Sequence, residues 1–271
     1  MSLFKTRKGV GLYYEVLNPE AEKTVAFFNG VMASTSSWGY QSSLFARMGY
    51  RVVLHDFKGQ LLSEKPQGPY TFHEHAAEAL ELFDFLGVQN PHLVGTSYGG
   101  EIALRFAIDF PDRVKTLSVI DSVSELDEVL KLFIVQWRAL AEEGDPEKFF
   151  WGMTPSIYGN HFIQKNLSFL KDRVSMMKMG GSDYFKGQVI LYDAFLNHVT
   201  MTSELSKIKH PALIVCGQED LLKPVKFSKI MADALPHSEF AVIPDCGHVT
   251  ILEKPEVLNS LLLGFVAKHG G

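Results

Sequence analysis

The chain has 271 residues, 46% hydrophobic and 21% charged, which is ordinary globular usage for one large α/β domain or a domain with an insertion. Its formal net charge of −5 and pI near 6.1 come without the basic stripe of a nucleic-acid binder, and they give no reason to expect an anionic membrane surface as partner. No apolar run resembles a signal peptide or reaches membrane-spanning length, and two cysteines, Cys216 and Cys246, make a disulfide framework improbable, so the expected location is cytoplasmic.

The opening reads as a hairpin, strand-like over residues 2–6 and 10–17 around Arg7-Lys8-Gly9. Short apolar runs follow at 24–28, 51–56, 92–95, 116–120, 212–216 and 240–243. Continuous apolar runs of this length suit strands covered on both faces. Helical patterns fill the gaps between them. Thr71 and Glu74 stand at capping-box spacing, Ala76, Ala79, Leu80 and Phe83 recur at helical intervals, and Gly87 ends that helix. Ala103, Phe106, Ala107 and Phe110 form a second stripe, closed by Pro111. Pro224 and Pro255 sit where two further helices start, and Leu258, Leu261, Leu262 and Phe265 line the last one.

The alternation predicts parallel βαβ units in a doubly wound, mostly parallel sheet of about eight strands. One connection, residues 122–211, far exceeds the length of an ordinary crossover. It reads as helical and rich in Phe, Trp and Met. The expected organisation is therefore an α/β core over 1–123 and 206–271 with a helical lid over 124–205. Phe133, Trp137, Phe149, Phe150, Trp151, Met153, Met176, Met177 and Met179 are candidates for lining a pocket beneath it, or for ordinary helix packing.

Gly95-Thr96-Ser97-Tyr98-Gly99 is a G-x-S-x-G pattern. The pentapeptide alone arises by chance in roughly one chain in ten of this length, so its setting must carry the weight. It follows the apolar run at 92–94 and precedes a helix, the strand–turn–helix context of a nucleophile elbow. A serine needs a base to take its proton, and His248 in Asp245-Cys246-Gly247-His248 lies just past the last strand run. A base needs an orienting carboxylate, and Asp220 lies just past the strand at 212–216. Glu219 and Asp121 are rival carboxylates. The order Ser97, Asp220, His248 is the chain order of this fold.

On these residues the whole chain resembles the α/β-hydrolase family, most closely small soluble esterases and enol-lactonases. The resemblance implies an oxyanion hole from the backbone N–H groups of Val31, in Asn29-Gly30-Val31-Met32, and Tyr98. Two positions depart from many relatives: Asn29-Gly30 replaces His-Gly, and Lys58-Gly59-Gln60-Leu61 replaces Arg-Gly-x-Gly. The expected function is hydrolysis of a small-molecule carboxylic ester or lactone through a Ser97 acyl-enzyme, with no cofactor and no metal. Carbon–carbon hydrolysis or perhydrolysis on the same triad is the alternative chemistry, and a non-catalytic ligand sensor the alternative class.

Overall fold

The computed structural model describes residues 2–177 and 181–270. In chain order the elements are β1 (Leu3–Lys5), β2 (Gly11–Leu17), β3 (Thr24–Phe28), α1 (Gly39–Arg47), β4 (Arg51–His55), α2 (Phe72–Phe85), β5 (His92–Thr96), α3 (Tyr98–Asp109) and β6 (Thr116–Ile120). Four helices follow, α4 (Glu128–Glu143), α5 (Pro146–Ile157), α6 (Asn160–Met177) and α7 (Gly181–His198). The chain closes with β7 (Ala212–Gly217), α8 (Val225–Ala234), β8 (Ser238–Ile243), α9 (Thr250–Glu253) and α10 (Pro255–His269).

The strands form one eight-stranded sheet in the order β1-β2-β4-β3-β5-β6-β7-β8. β1 and β2 pair antiparallel, as do β2 and β4, and every later pairing is parallel. The apolar runs of β3, β5, β6 and β7 are buried along their whole length. Alternate side chains serve opposite faces, as the pleat requires. Val25 and Phe27 pack with Phe45 of α1 and Leu258, Leu262 and Phe265 of α10. Ala26 and Phe28 pack with Ala79 and Phe83 of α2, Ile102 and Phe106 of α3, and Met231 of α8. The sheet is thus covered by helices on both faces, and the C-terminal ends of its parallel strands open on one rim, where sites of such sheets form.

Local signals explain most boundaries. Thr71 Oγ1 accepts the Glu74 N–H at 3.1 Å, so the N-terminus of α2 is capped. The Glu74 carboxylate does not turn back to complete the box; it pairs with Lys8 and Lys58. Gly87 takes a φ of 68° just past α2, the left-handed position that favours glycine. Helix α1 has no counterpart among the sequence expectations. Its sequence, Gly-Tyr-Gln-Ser-Ser-Leu-Phe-Ala-Arg, buries Gln41, Ser42 and Phe45 and so carries almost no apolar stripe. No helix among the described residues is long and apolar enough to cross a membrane.

Candidate active site

Ser97 stands between the end of β5 and the start of α3, with φ 51° and ψ −122°. An L-residue adopts that conformation only when its surroundings impose it. Here its N–H donates to Ile120 O at 2.8 Å, while Gly100 N donates to Ser97 O at 2.8 Å. The turn is so tight that a Cβ at Gly95 would collide with Gly99 O, and one at Gly99 would collide with Phe28 O. Glycine at both positions is therefore a steric requirement of the elbow.

His248 lies in the loop after β8, and its Nε2 is 2.9 Å from Ser97 Oγ. Its Nδ1 is 2.7 Å from Asp220 Oδ2, in the loop after β7. Ser97 is half-buried, and His248 and Asp220 are buried. The two rival carboxylates are engaged elsewhere. Glu219 Oε2 accepts the Asn160 N–H at 3.2 Å. Asp121 accepts the Gly217 N–H at 2.9 Å and the Thr250 hydroxyl at 2.8 Å, tying the ends of β6 and β7 to the segment behind His248. Burial and the neighbouring Asp220 charge hold the Asp121 carboxyl well above the usual carboxylate range.

The histidine loop has its own clamp. Glu253 accepts the N–H groups of Gly247 at 2.9 Å, Gly159 at 3.1 Å and Val249 at 3.2 Å. The His248 N–H donates to Ile157 O at 2.8 Å, which joins the loop to α5. Burial pushes the Glu253 carboxyl up against the pull of those amides.

Among the described residues, neither the Val31 nor the Tyr98 backbone N–H donates to a protein acceptor. The Val31 loop is held from below. Asn29 Nδ2 donates to His55 O and Asp56 Oδ1, both at 2.9 Å, and its Oδ1 accepts from Trp38 Nε1 at 2.9 Å. Gln60 Nε2 donates to Gly30 O at 2.8 Å, and its Oε1 accepts the Phe57 N–H at 2.9 Å. Asn29, at one departure from the common family pattern, and Gln60, within the turn that holds the other, thus form one buried polar network.

A pair that sequence reasoning missed lies behind the serine. Lys223 Nζ is 3.2 Å from Ser97 Oγ and 2.9 Å from Glu101 Oε1. The Lys223 backbone N–H donates to Asp220 Oδ1 at 2.8 Å. The only sequence signal was proximity: Glu101 and Lys223 fall four and three residues after expected site residues.

A cavity of about 390 Å³ opens above Ser97 and His248. Met32 and Leu252 line it from the core; Trp137, Phe150, Ile157 and Arg173 line it from α4, α5 and α6. Of the aromatic and Met candidates, Trp137 and Phe150 face this cavity. Phe149 and Met153 are wholly buried among other side chains, and Phe133, Trp151 and Met177 pack against the core. Met179 and the Met176 side chain lie outside the described residues. Both cysteines are free and buried, and burial pushes the Cys216 thiol up to about 12, which suits an inert packing role.

A family model described as "alpha/beta hydrolase fold" matches residues 23–255. A curated relative from Azorhizobium caulinodans, named "Putative carbamate hydrolase RutD", is 26% identical over 257 residues, covering 94% of each chain. The crystal structure of MGS-M2, described as an alpha/beta hydrolase enzyme from a Medee basin deep-sea metagenome library, superposes with a TM-score of 0.92 at 26% identity, covering 98% of this chain and 97% of that one. Est816, described as an N-acyl homoserine lactone degrading enzyme, superposes with a TM-score of 0.82 at 28% identity, covering 98% of this chain and all of its own.

Proposed function

We propose that this chain, which belongs to the alpha/beta hydrolase family, cleaves a small carboxylic ester or lactone through an acyl-enzyme on Ser97. The observation that carries the reading is the unbroken line of hydrogen bonds from Ser97 Oγ through His248 to Asp220, with Ser97 and His248 facing the cavity. Ser97 attacks the carbonyl carbon as its proton passes to His248 Nε2. Asp220 fixes the tautomer that leaves Nε2 free to accept, and it stabilises the imidazolium that forms. The Val31 and Tyr98 amides meet the negative charge that develops on the carbonyl oxygen, and the N-terminus of α3 adds its partial positive charge. His248 then returns the proton to the leaving alkoxide, and water repeats the sequence to release the acid.

The cavity volume falls within the range of small-molecule sites, and its walls are mainly apolar, with Arg173 as the one permanent cation among the described lining residues. Helices α4 to α6 act in this reading as the lid, since they supply the far wall. Short and medium acyl groups fit that volume. The relative's carbamate and the neighbour's homoserine lactone both present an acyl carbon that this triad can attack.

The test is a panel of p-nitrophenyl esters, lactones and carbamates run on the parent and on Ser97→Ala, with labelling by a serine-directed phosphonate. The parent should turn over short esters or lactones and be labelled at Ser97, and Ser97→Ala should lose roughly 10³-fold or more. A parent that is neither active nor labelled would point to a ligand sensor instead. Comparable activity in Ser97→Ala would dismiss the nucleophile.

A further inference from the structure

We infer that Lys223, balanced by Glu101, is a second electrostatic partner of the nucleophile: its ammonium holds Ser97 Oγ for attack and stabilises the negative charge on that oxygen as it attacks and again as it leaves. The inference rests on the serine-hydrolase reading above and adds a residue to it.

The geometry is specific. An ammonium has three donors and no acceptor. One points to Glu101 Oε1 at 2.9 Å and one to Ser97 Oγ at 3.2 Å, while the Phe195 ring, 4.8 Å away by its centroid, faces the charge from another side. The Lys223 and Glu101 side chains are 2% and 0% exposed. Burying both ions is costly, and uncharged side chains of similar size would serve stability as well or better, provided that one of them accepts the buried Val123 N–H. The fold alone therefore gives no reason for charge at this spot.

Each member of the pair is also bound to the triad's own scaffold. Glu101 sits one helical turn after Ser97 on α3, and its N–H donates to Ser97 O at 3.2 Å. Its Oε1 also accepts the Val123 N–H at 2.9 Å, so the carboxylate is fixed from two sides. Lys223 follows Asp220 by three residues and is held there through its own N–H. Any movement of the nucleophile or the acid moves the pair with it.

The consequence follows from counting protons. Ser97 Oγ has one hydrogen and two lone pairs. Because Lys223 can only donate, it occupies a lone pair, and the hydroxyl hydrogen is left to point at His248 Nε2. In acylation that proton passes to His248 as the Oγ–C bond forms, and it departs with the leaving alkoxide. In deacylation water gives a proton to His248, the C–Oγ bond breaks, and the proton returns to Oγ. Lys223 keeps its three protons throughout and stabilises charge on Oγ in both steps. It is not among the residues lining the cavity, so it acts on the nucleophile and not on substrate.

The test uses the full chain. Removing Lys223 alone strands a buried carboxylate, so the informative variants are Lys223→Met/Glu101→Gln and Lys223→Gln/Glu101→Gln, with folding checked by circular dichroism. Two probes are used: diethyl p-nitrophenyl phosphate, which reports attack by Ser97 alone, and p-nitrophenyl acetate, whose burst separates acylation from deacylation. At least one double variant should fold and react with the phosphate ester about 10- to 100-fold more slowly than the parent. KM for the acetate should move far less than kcat. Folded double variants that react within about twofold of the parent would overturn the inference and leave the triad reading standing. A parent that does not react with the phosphate ester at Ser97 would overturn the triad reading and this inference with it.

Discussion

Gln60 Nε2 donates to Gly30 O at 2.8 Å, so one side chain in the turn after β4 holds the loop that carries Val31. The same amide's oxygen accepts the Phe57 N–H. A leucine at this position would strand the buried Phe57 N–H and leave Gly30 O with the Ala33 N–H alone. Gln60→Leu should lower stability by about 1–3 kcal/mol. It should also reduce kcat for short esters by about tenfold or more, because the loop that carries the Val31 N–H, the proposed oxyanion donor, loses its support. Urea unfolding and ester turnover measure the two effects separately. A destabilised protein with full kcat would mean that the network holds the fold but not the amide.

Asp220, Glu219 and Asp121 divide three jobs among three carboxylates. Only Asp220 reaches His248, at 2.7 Å. Asp220→Asn should lose on the order of 10²–10⁴ in kcat. Glu219→Gln and Asp121→Asn should lose far less, and Asp121→Asn should show its effect in thermal stability because it links the ends of β6 and β7. Turnover at saturating ester and melting curves on all three variants decide the matter. A crippled Asp121→Asn with normal stability would redraw the triad as Ser97, Asp121 and His248.

The φ of 51° at Ser97 is strain held in place by the elbow. Alanine at this position keeps the strain and removes the hydroxyl; glycine removes both. Ser97→Gly should therefore be more stable than Ser97→Ala by about 1 kcal/mol, even though glycine gains more freedom on unfolding. Denaturant midpoints of the two variants measure it. Ser97→Ala as the more stable of the pair would argue against stored strain.

His55 is fully buried between Phe28 and Phe57, with ring centroids 5.2 Å and 4.7 Å away, and both its ring nitrogens lack hydrogen-bond partners among the described residues. Burial pushes its pKa down to about 3, from 6.5 in the unfolded chain. The unfolded state therefore binds a proton below pH 6.5 that the folded state refuses. The stability contribution is whole above pH 6.5 and is lost as pH falls from 6.5 towards 3. At pH 5 the loss from this one group is about 2 kcal/mol. His55→Leu should remove it, so the variant should gain about that much on the parent between pH 8 and pH 5. Urea titrations at the two values test this; a constant difference between them would mean that His55 titrates normally in the folded chain.

The strands, most of the helices and the chain order of Ser97, Asp220 and His248 were legible in the sequence because each rests on local chemistry. Buried parallel strands need continuous apolar runs, a strained turn needs Gly95 and Gly99, and Gly87 stops α2 by taking a left-handed φ. Helix α1 was not legible, because its buried residues include Gln41 and Ser42 and no periodic stripe marks them. Nor could spacing alone choose between neighbouring acids: Glu219 and Asp220 are adjacent in sequence, and only the path of the loop after β7 turns one towards α6 and the other towards His248. The Asn29–Gln60 network, the Glu253 clamp and the Lys223–Glu101 pair join residues brought together by chain folding over separations of up to 122 positions. Such contacts leave no periodic trace, because the residues that make them share a place in space and nothing in local pattern.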